Sequence, residues 1–134
     1  MATFDTFPDA EALASKVLRD ASITGLSTRV YSSIPNDPTW PLVTVKRIGG
    51  VPVERHRLDH PRIQIDVWGT SKSEALDIAQ AARAALHAME GQSYSSPVTG
   101  TVTAVRDDLG LTWSPDPVTN RDRYIFGVSL TTHA

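Results

Sequence analysis

Apolar residues recur at helical spacing in two stretches of the chain and at strand spacing in several others. From Pro8 onward, Ala10, Leu13, Val17, Leu18 and Ala21 follow one another mostly at intervals of three and four, which places them on one face of a helix. Thr6 or Phe7 is expected to cap this helix, with Gly25 beyond its end. A second helix opens at Ser71-Lys72-Ser73-Glu74, a capping box in which the serine and the glutamate satisfy free backbone N–H groups reciprocally. Ala75, Ile78, Ala79, Ala82, Leu86 and Met89 then form a stripe, and Gly91 supplies a left-handed stop. The small residues of that stripe let the helix backbone lie close to a sheet.

Strict alternation marks the strands. Across Arg62–Trp68, Ile63, Ile65 and Val67 point one way and Arg62, Gln64 and Asp66 the other. Near the C-terminus Tyr124, Phe126, Val128 and Leu130 alternate with Ile125, Gly127, Ser129 and Thr131, which reads as a central strand. Residues 29–34, 42–48, 101–106 and 109–113, rich in Val, Ile, Thr and aromatics, are weaker strands. Gly49-Gly50 and Asp107-Asp108 read as turns. The order is a helix, three strands, a helix and three more strands. That order predicts a single α+β domain over residues 1–134, with an antiparallel or mixed β-sheet packed against two helices. The expected core is Ile63, Ile65, Val67, Ile78, Leu86, Phe126 and Val128, and Trp68 and Trp113 are expected in the interior with them.

Three connections carry information of their own. Residues 35–41 contain three prolines and Trp40, so the backbone there is stiff and Trp40 is expected to be fixed on a surface or at a partner. Residues 51–61, VPVERHRLDHP, hold six titratable groups with no apolar period. They form either a long solvated hairpin or an arm that docks elsewhere. Residues 114–122 repeat Pro and Asp turn chemistry just before the last strand.

Composition narrows the function. With 134 residues there is room for one core, and 40% hydrophobic with 21% charged residues fits a chain that folds in water. Thirteen Lys plus Arg against fifteen Asp plus Glu leave a net charge of −2, so specific nucleic-acid binding and attraction to anionic lipid are disfavoured. There is no cysteine, hence no disulfide, thiolate metal site or cysteine nucleophile. Residues 1–7 contain no basic residue and the longest uncharged stretch, residues 91–105, is polar. The expectation is therefore a protein without a secretory signal or membrane span, made in the cytoplasm.

No catalytic pattern stands out. The chain lacks G-x-S-x-G, G-x-G-x-x-G, a Walker loop and H-E-x-x-H. His56 and His60 are four apart with Glu54 and Asp59 beside them, but Pro52 and Pro61 bracket a segment without helical pattern, so it reads as a charged loop and no metal is expected. Asp107 and Asp108, being adjacent, point to opposite faces of a strand and cannot share a proton. His87 suits the carbonyl end of its helix. Lys46, Arg47, Arg55, Arg57 and Arg62 are interleaved with Glu54, Asp59 and Asp66, a mixture suited to a protein partner. On these grounds the protein is not expected to be an enzyme, and no cofactor is expected.

Order and motifs together resemble the small tail terminator proteins of long-tailed bacteriophages, also known as tail completion proteins. The resemblance covers most of the chain. It rests on the N-terminal helix, the strand that ends in the proline-rich turn from Ile34-Pro35 to Trp40-Pro41, and the strand Leu42-Val43-Thr44-Val45. The block RIQIDVWGTSKSEALDIAQAARAAL, residues 62–86, and Pro115-Asp116-Pro117-Val118-Thr119 ahead of Arg123-Tyr124-Ile125-Phe126 complete it.

The resemblance implies a structural virion protein. Such proteins form a ring, usually a hexamer, at the head-proximal end of the tail. The ring caps the tail tube, ends its polymerisation and joins the tail to the neck or head-tail connector, and DNA passes through it. A neck or head-tail joining component, or a cytoplasmic α+β module that binds a small ligand or RNA, are the alternatives. Trp and Arg anchor interfaces disproportionately. The expected subunit or tube contacts are therefore Trp40 and, in the charged arm, Glu54, Arg55, His56, Arg57 and Asp59.

Overall fold

A computed structural model of the chain describes residues 6–52, 57–96 and 98–134. Helix α1 (Ala10–Asp20) buries Ala10, Leu13, Ala14 and Leu18. Its cap is Asp9, not Thr6 or Phe7: the Asp9 carboxylate accepts the Ala12 N–H at 3.0 Å. Aspartate is a strong N-cap acceptor, and its position just before Ala10 sets where the backbone turns helical. Ala21 follows the last turn and is exposed.

The sheet has six strands in the order β1 (Val30–Tyr31), β2 (Leu42–Gly49), β3 (Arg62–Trp68), β6 (Arg123–His133), β5 (Gly100–Trp113) and β4 (Gln92–Tyr94). β1 runs parallel to β2 and every other pairing is antiparallel, so the sheet is mixed. The alternation at the C-terminus does mark a central strand, with β3 on one side and β5 on the other.

Helix α2 (Lys72–His87) fulfils its sequence signature. Ser71 caps it, with its hydroxyl accepting from the Glu74 N–H at 3.1 Å, while Glu74 reaches back to the Thr70 N–H at 2.9 Å. At the far end Gly91 takes φ +81°, a left-handed value that suits glycine.

Both helices pack on one face of the sheet. Val43, Val45, Ile63, Ile65, Val67, Phe126, Val128 and Leu130 meet the alanine-rich stripe of α2 and the leucines of α1 in one core. All seven expected core residues are buried there.

Two expectations about β5 are corrected. Residues 101–106 and 109–113 belong to one strand, and Asp107-Asp108 is no turn. Irregular pairing with β6 around Asp107–Leu109 and Leu109–Thr112 absorbs the extra residues as bulges. Both carboxylates are held by basic side chains distant in sequence. Arg83 and His87 of α2 bind Asp107 at 2.5 and 2.9 Å, and Arg62 of β3 binds Asp108 at 2.9 Å. The short β4 has no strong strand signal; it forms because Gly91 reverses the chain against Gly100–Val102.

The hydrogen bonds from Arg83 first and His87 second hold the Asp107 carboxyl down from 3.8 to about 2. A lowered carboxyl contributes stability that is present above its unfolded pKa and is lost as pH falls through the folded value. Asp107→Asn should therefore melt slightly below the native protein at neutral pH, and the two should converge as pH falls from about 4 to about 2. The gap should be small, since these side chains are more than a third exposed. A gap unchanged across that window in calorimetric melts would contradict the assignment.

Candidate subunit interface

The expected contact residues fall at opposite ends of the sheet. At one end β2 and β3 are joined by the charged arm, whose base is firmly held. Arg47 near the end of β2 makes a bidentate pair with Asp59, Nη1 to Oδ2 at 2.7 Å and Nη2 to Oδ1 at 3.1 Å, and also donates to the carbonyls of Gly49 and Gly50. Asp59 is 1% exposed, and its N–H and C=O both bond Thr132 of β6 at 2.9 Å. Gly50 has φ +94°, and a Cβ on it would lie 2.0 Å from the His60 carbonyl oxygen, so glycine is required where the two limbs cross.

The arm's return limb is stapled to the sheet, and Asp59 is part of the staple. Arg57 is exposed beside Leu58, at the rim of an open cleft of about 470 Å³ that Thr103, His133 and Ala134 also line. Glu54, Arg55 and His56 lie outside the described residues. His60, the other half of the expected histidine pair, places its Nδ1 3.3 Å from the Thr131 hydroxyl. Among the described residues no three His, Asp or Glu side chains converge as metal ligands.

The other end gathers all three tryptophans, each beneath a cation. Trp40 is half-buried, its ring 6.2 Å from that of Trp68, with the Arg121 guanidinium 4.5 Å from its centroid. Trp68 lies 5.7 Å from Arg123, and the Lys72 ammonium stands 4.2 Å from the Trp113 ring. Trp68 is buried as expected, whereas Trp113 is 46% exposed and does not belong to the core. Its strand ends there, with the first turn of α2 covering only one side of the ring.

Residues 114–122 close over this end. Asp116 is the keystone: its carboxylate accepts from the Trp68 indole at 2.8 Å and from the Val118 N–H at 2.9 Å. Burial pushes the Asp116 carboxyl up, but the hydrogen bonds from Trp68, Val118 and Thr119 outweigh it and the net shift is downward. Asp122 accepts from the Trp113 indole at 3.3 Å and, through its carbonyl, from the Gly69 N–H at 3.1 Å. The loop bonds Trp68 on the face of β3 turned away from the helices, where Asp66 is buried as well, so β3 is covered on both sides at this end.

Sequence reasoning selected Trp40 and missed its neighbours. Arg121 and Arg123 bracket the start of β6 two residues apart, spaced to project from one side of a strand toward the tryptophans, and that spacing was the available signal.

The family model described as Tail completion protein gp17 matches residues 11–113. No curated protein sequence matches the chain. Among solved structures, a chain in the virion of a native gene transfer agent particle is similar in fold, with a TM-score of 0.58 and 14% identity, over 93% of this chain and 87% of that one. No helix among the described residues is long and apolar enough to cross a membrane.

Proposed function

The chain belongs to the Tail completion protein gp17 family and is a structural protein of a bacteriophage tail; from that premise we propose that it forms a homohexameric ring on the head-proximal end of the tail tube. The ring ends tube polymerisation, joins the tube to the neck or head-tail connector, and leaves an axial passage for DNA. It assembles in the host cytoplasm and remains in the virion. The fold likeness to a gene transfer agent virion chain supports a virion setting.

The observation that carries this reading is the separation of two unlike surfaces on one domain. A tail completion ring needs one face for the tube, another for the neck, and two lateral patches that meet head to tail. The Trp–cation cluster and the charged arm lie at opposite ends of the strands, since Trp40 precedes β2 and the arm follows it. Lateral contacts of about 1,000 Å² or more are needed for a stable ring. The arm supplies charged groups for them: Glu54, Arg55, His56 and Arg57 precede Asp59 of the Arg47–Asp59 staple in the sequence. Arginine pairs desolvated in such a contact contribute more than the ~0–1 kcal/mol of an exposed pair.

Reversing charge at Arg55 and Arg57 together should leave the melting temperature near the native value, because the staple is untouched, and should abolish ring formation measured by light scattering in the presence of tail tubes. Loss of fold and ring together, or of neither, would remove the arm from the interface. Native protein that stays monomeric with tube ends present would remove the ring.

A further inference from the structure

β5 is fourteen residues long, and its outer neighbour β4 covers it only over Gly100–Val102. Residues 103–113 have β6 on one side and, among the described residues, no strand on the other. The opposite margin of the sheet is different. Val30 of β1 is closed off by its own chain, its carbonyl accepting from Arg19 at 2.7 Å and its N–H bonding the Thr28 carbonyl at 2.8 Å. The sheet thus has one sealed edge and one edge that is open beyond Val105, whose N–H bonds Glu90, and an open edge is a template for another strand.

Charge normally guards such an edge. Here the guard is largely tied back: Asp107 is held on the helix side by Arg83 and His87, and Asp108 is held on the other face by Arg62. Arg106 carries the remaining charge, without an ion pair among the described residues, and residues 106–110 are all exposed.

Val105 stands opposite Leu130, whose N–H turns to Pro61, and the Val105 N–H turns away from β6 to Glu90 Oε1 at 3.1 Å. Pairing is regular from Ala104 to Asp107. Two residues beyond Val105, Asp107 therefore presents its N–H and C=O to the same open side.

We propose that this edge pairs antiparallel with the same edge of a second copy of the chain, about a two-fold axis at Asp107. The charges select this occupant and register. With Asp107 on the axis, each Arg106 stands opposite the partner's Asp108 on the face away from the helices, giving two equivalent ion pairs. The two Asp107 side chains meet on the helix face, each already held by its own Arg83 and His87. The contact is isologous and uses the edge of β5, whereas the ring closes head to tail through the arm, so neither depends on the other.

Sedimentation equilibrium of the pure protein, free of tail tubes, should show a reversible dimer of the 14.6 kDa chain. Arg106→Asp and Asp108→Arg each set like charges against one another at both ends of the contact. Each should weaken the dimer by roughly two orders of magnitude or more while keeping the native circular dichroism. Mixed in equal amounts, the two variants regain both ion pairs and should form a one-to-one heterodimer, which also shows that both are folded. Arg106→Lys should retain the dimer. A native protein that is monomeric at every concentration, single variants that associate as the native protein does, or a mixture that stays monomeric would each overturn the proposal. A native hexamer equally insensitive to both variants would overturn the edge contact and leave the ring standing.

Discussion

Replacing Arg47 with alanine is expected to destabilise the protein by roughly 3 kcal/mol, a large share of the ~5–15 kcal/mol that holds a domain of this size together. The substitution leaves the Asp59 carboxylate buried without its guanidinium. Breaking a buried pair from one side costs about 3–5 kcal/mol because the surviving charge has lost both water and partner. The lower end applies, since Arg47 is itself 34% exposed and Asp59 keeps the His60 N–H at 2.9 Å. Adding Asp59→Asn to the alanine variant should recover part of the loss, as a neutral amide is cheaper to bury than an orphaned carboxylate. Urea unfolding of the single and double variants measures both quantities. An Arg47→Ala loss under about 1 kcal/mol would mean that the arm base is wet and the staple ornamental.

Leu86→Ala should cost about 2–5 kcal/mol, from lost transfer energy plus the cavity left between α2 and the sheet. The side chain is fully buried, and the surrounding surface of α2 is built from alanines that cannot swing in to fill the gap. Leu86→Met, which conserves volume, should cost less than about 1.5 kcal/mol. Equal melting points for native and alanine proteins would place Leu86 on the surface and put the helix in the wrong phase.

The elements that could be read from the sequence are those whose signals are local. Ser71, Glu74 and Gly91 define α2 within the helix and its immediate flanks, and Ile63, Ile65 and Val67 define the inward face of β3 by alternation alone. What could not be read depends on partners far along the chain. Asp107-Asp108 looks like a turn because two carboxylates in a strand are costly; they are tolerated because Arg83, His87 and Arg62 lie against them in space. Trp113 looks like core because it ends an apolar strand, yet it stays half-exposed at the sheet's end. Asp59 looks like a free surface acid, and only the fold brings Arg47 and Thr132 to it. Asp9 differs: its capping role is local and legible, although the apolar pattern alone places the cap at Thr6 or Phe7.

The loop over the tryptophan end has a mechanical consequence. Val118 is 90% exposed at its apex, and an apolar side chain thrust into water on a slack loop would lose much of its value in any contact, because the loop would have to be ordered first. This loop is already ordered. Asp116 fastens it to β3 through Trp68, Asp122 fastens it to the β3–α2 link through Gly69 and to β5 through Trp113, and Asn120 bonds back across it to the Asp116 carbonyl at 2.8 Å. Val118 is therefore mounted as a stiff probe. A surface that receives it meets a fixed shape, and force applied at that point passes directly into the strand ends and the first turn of α2.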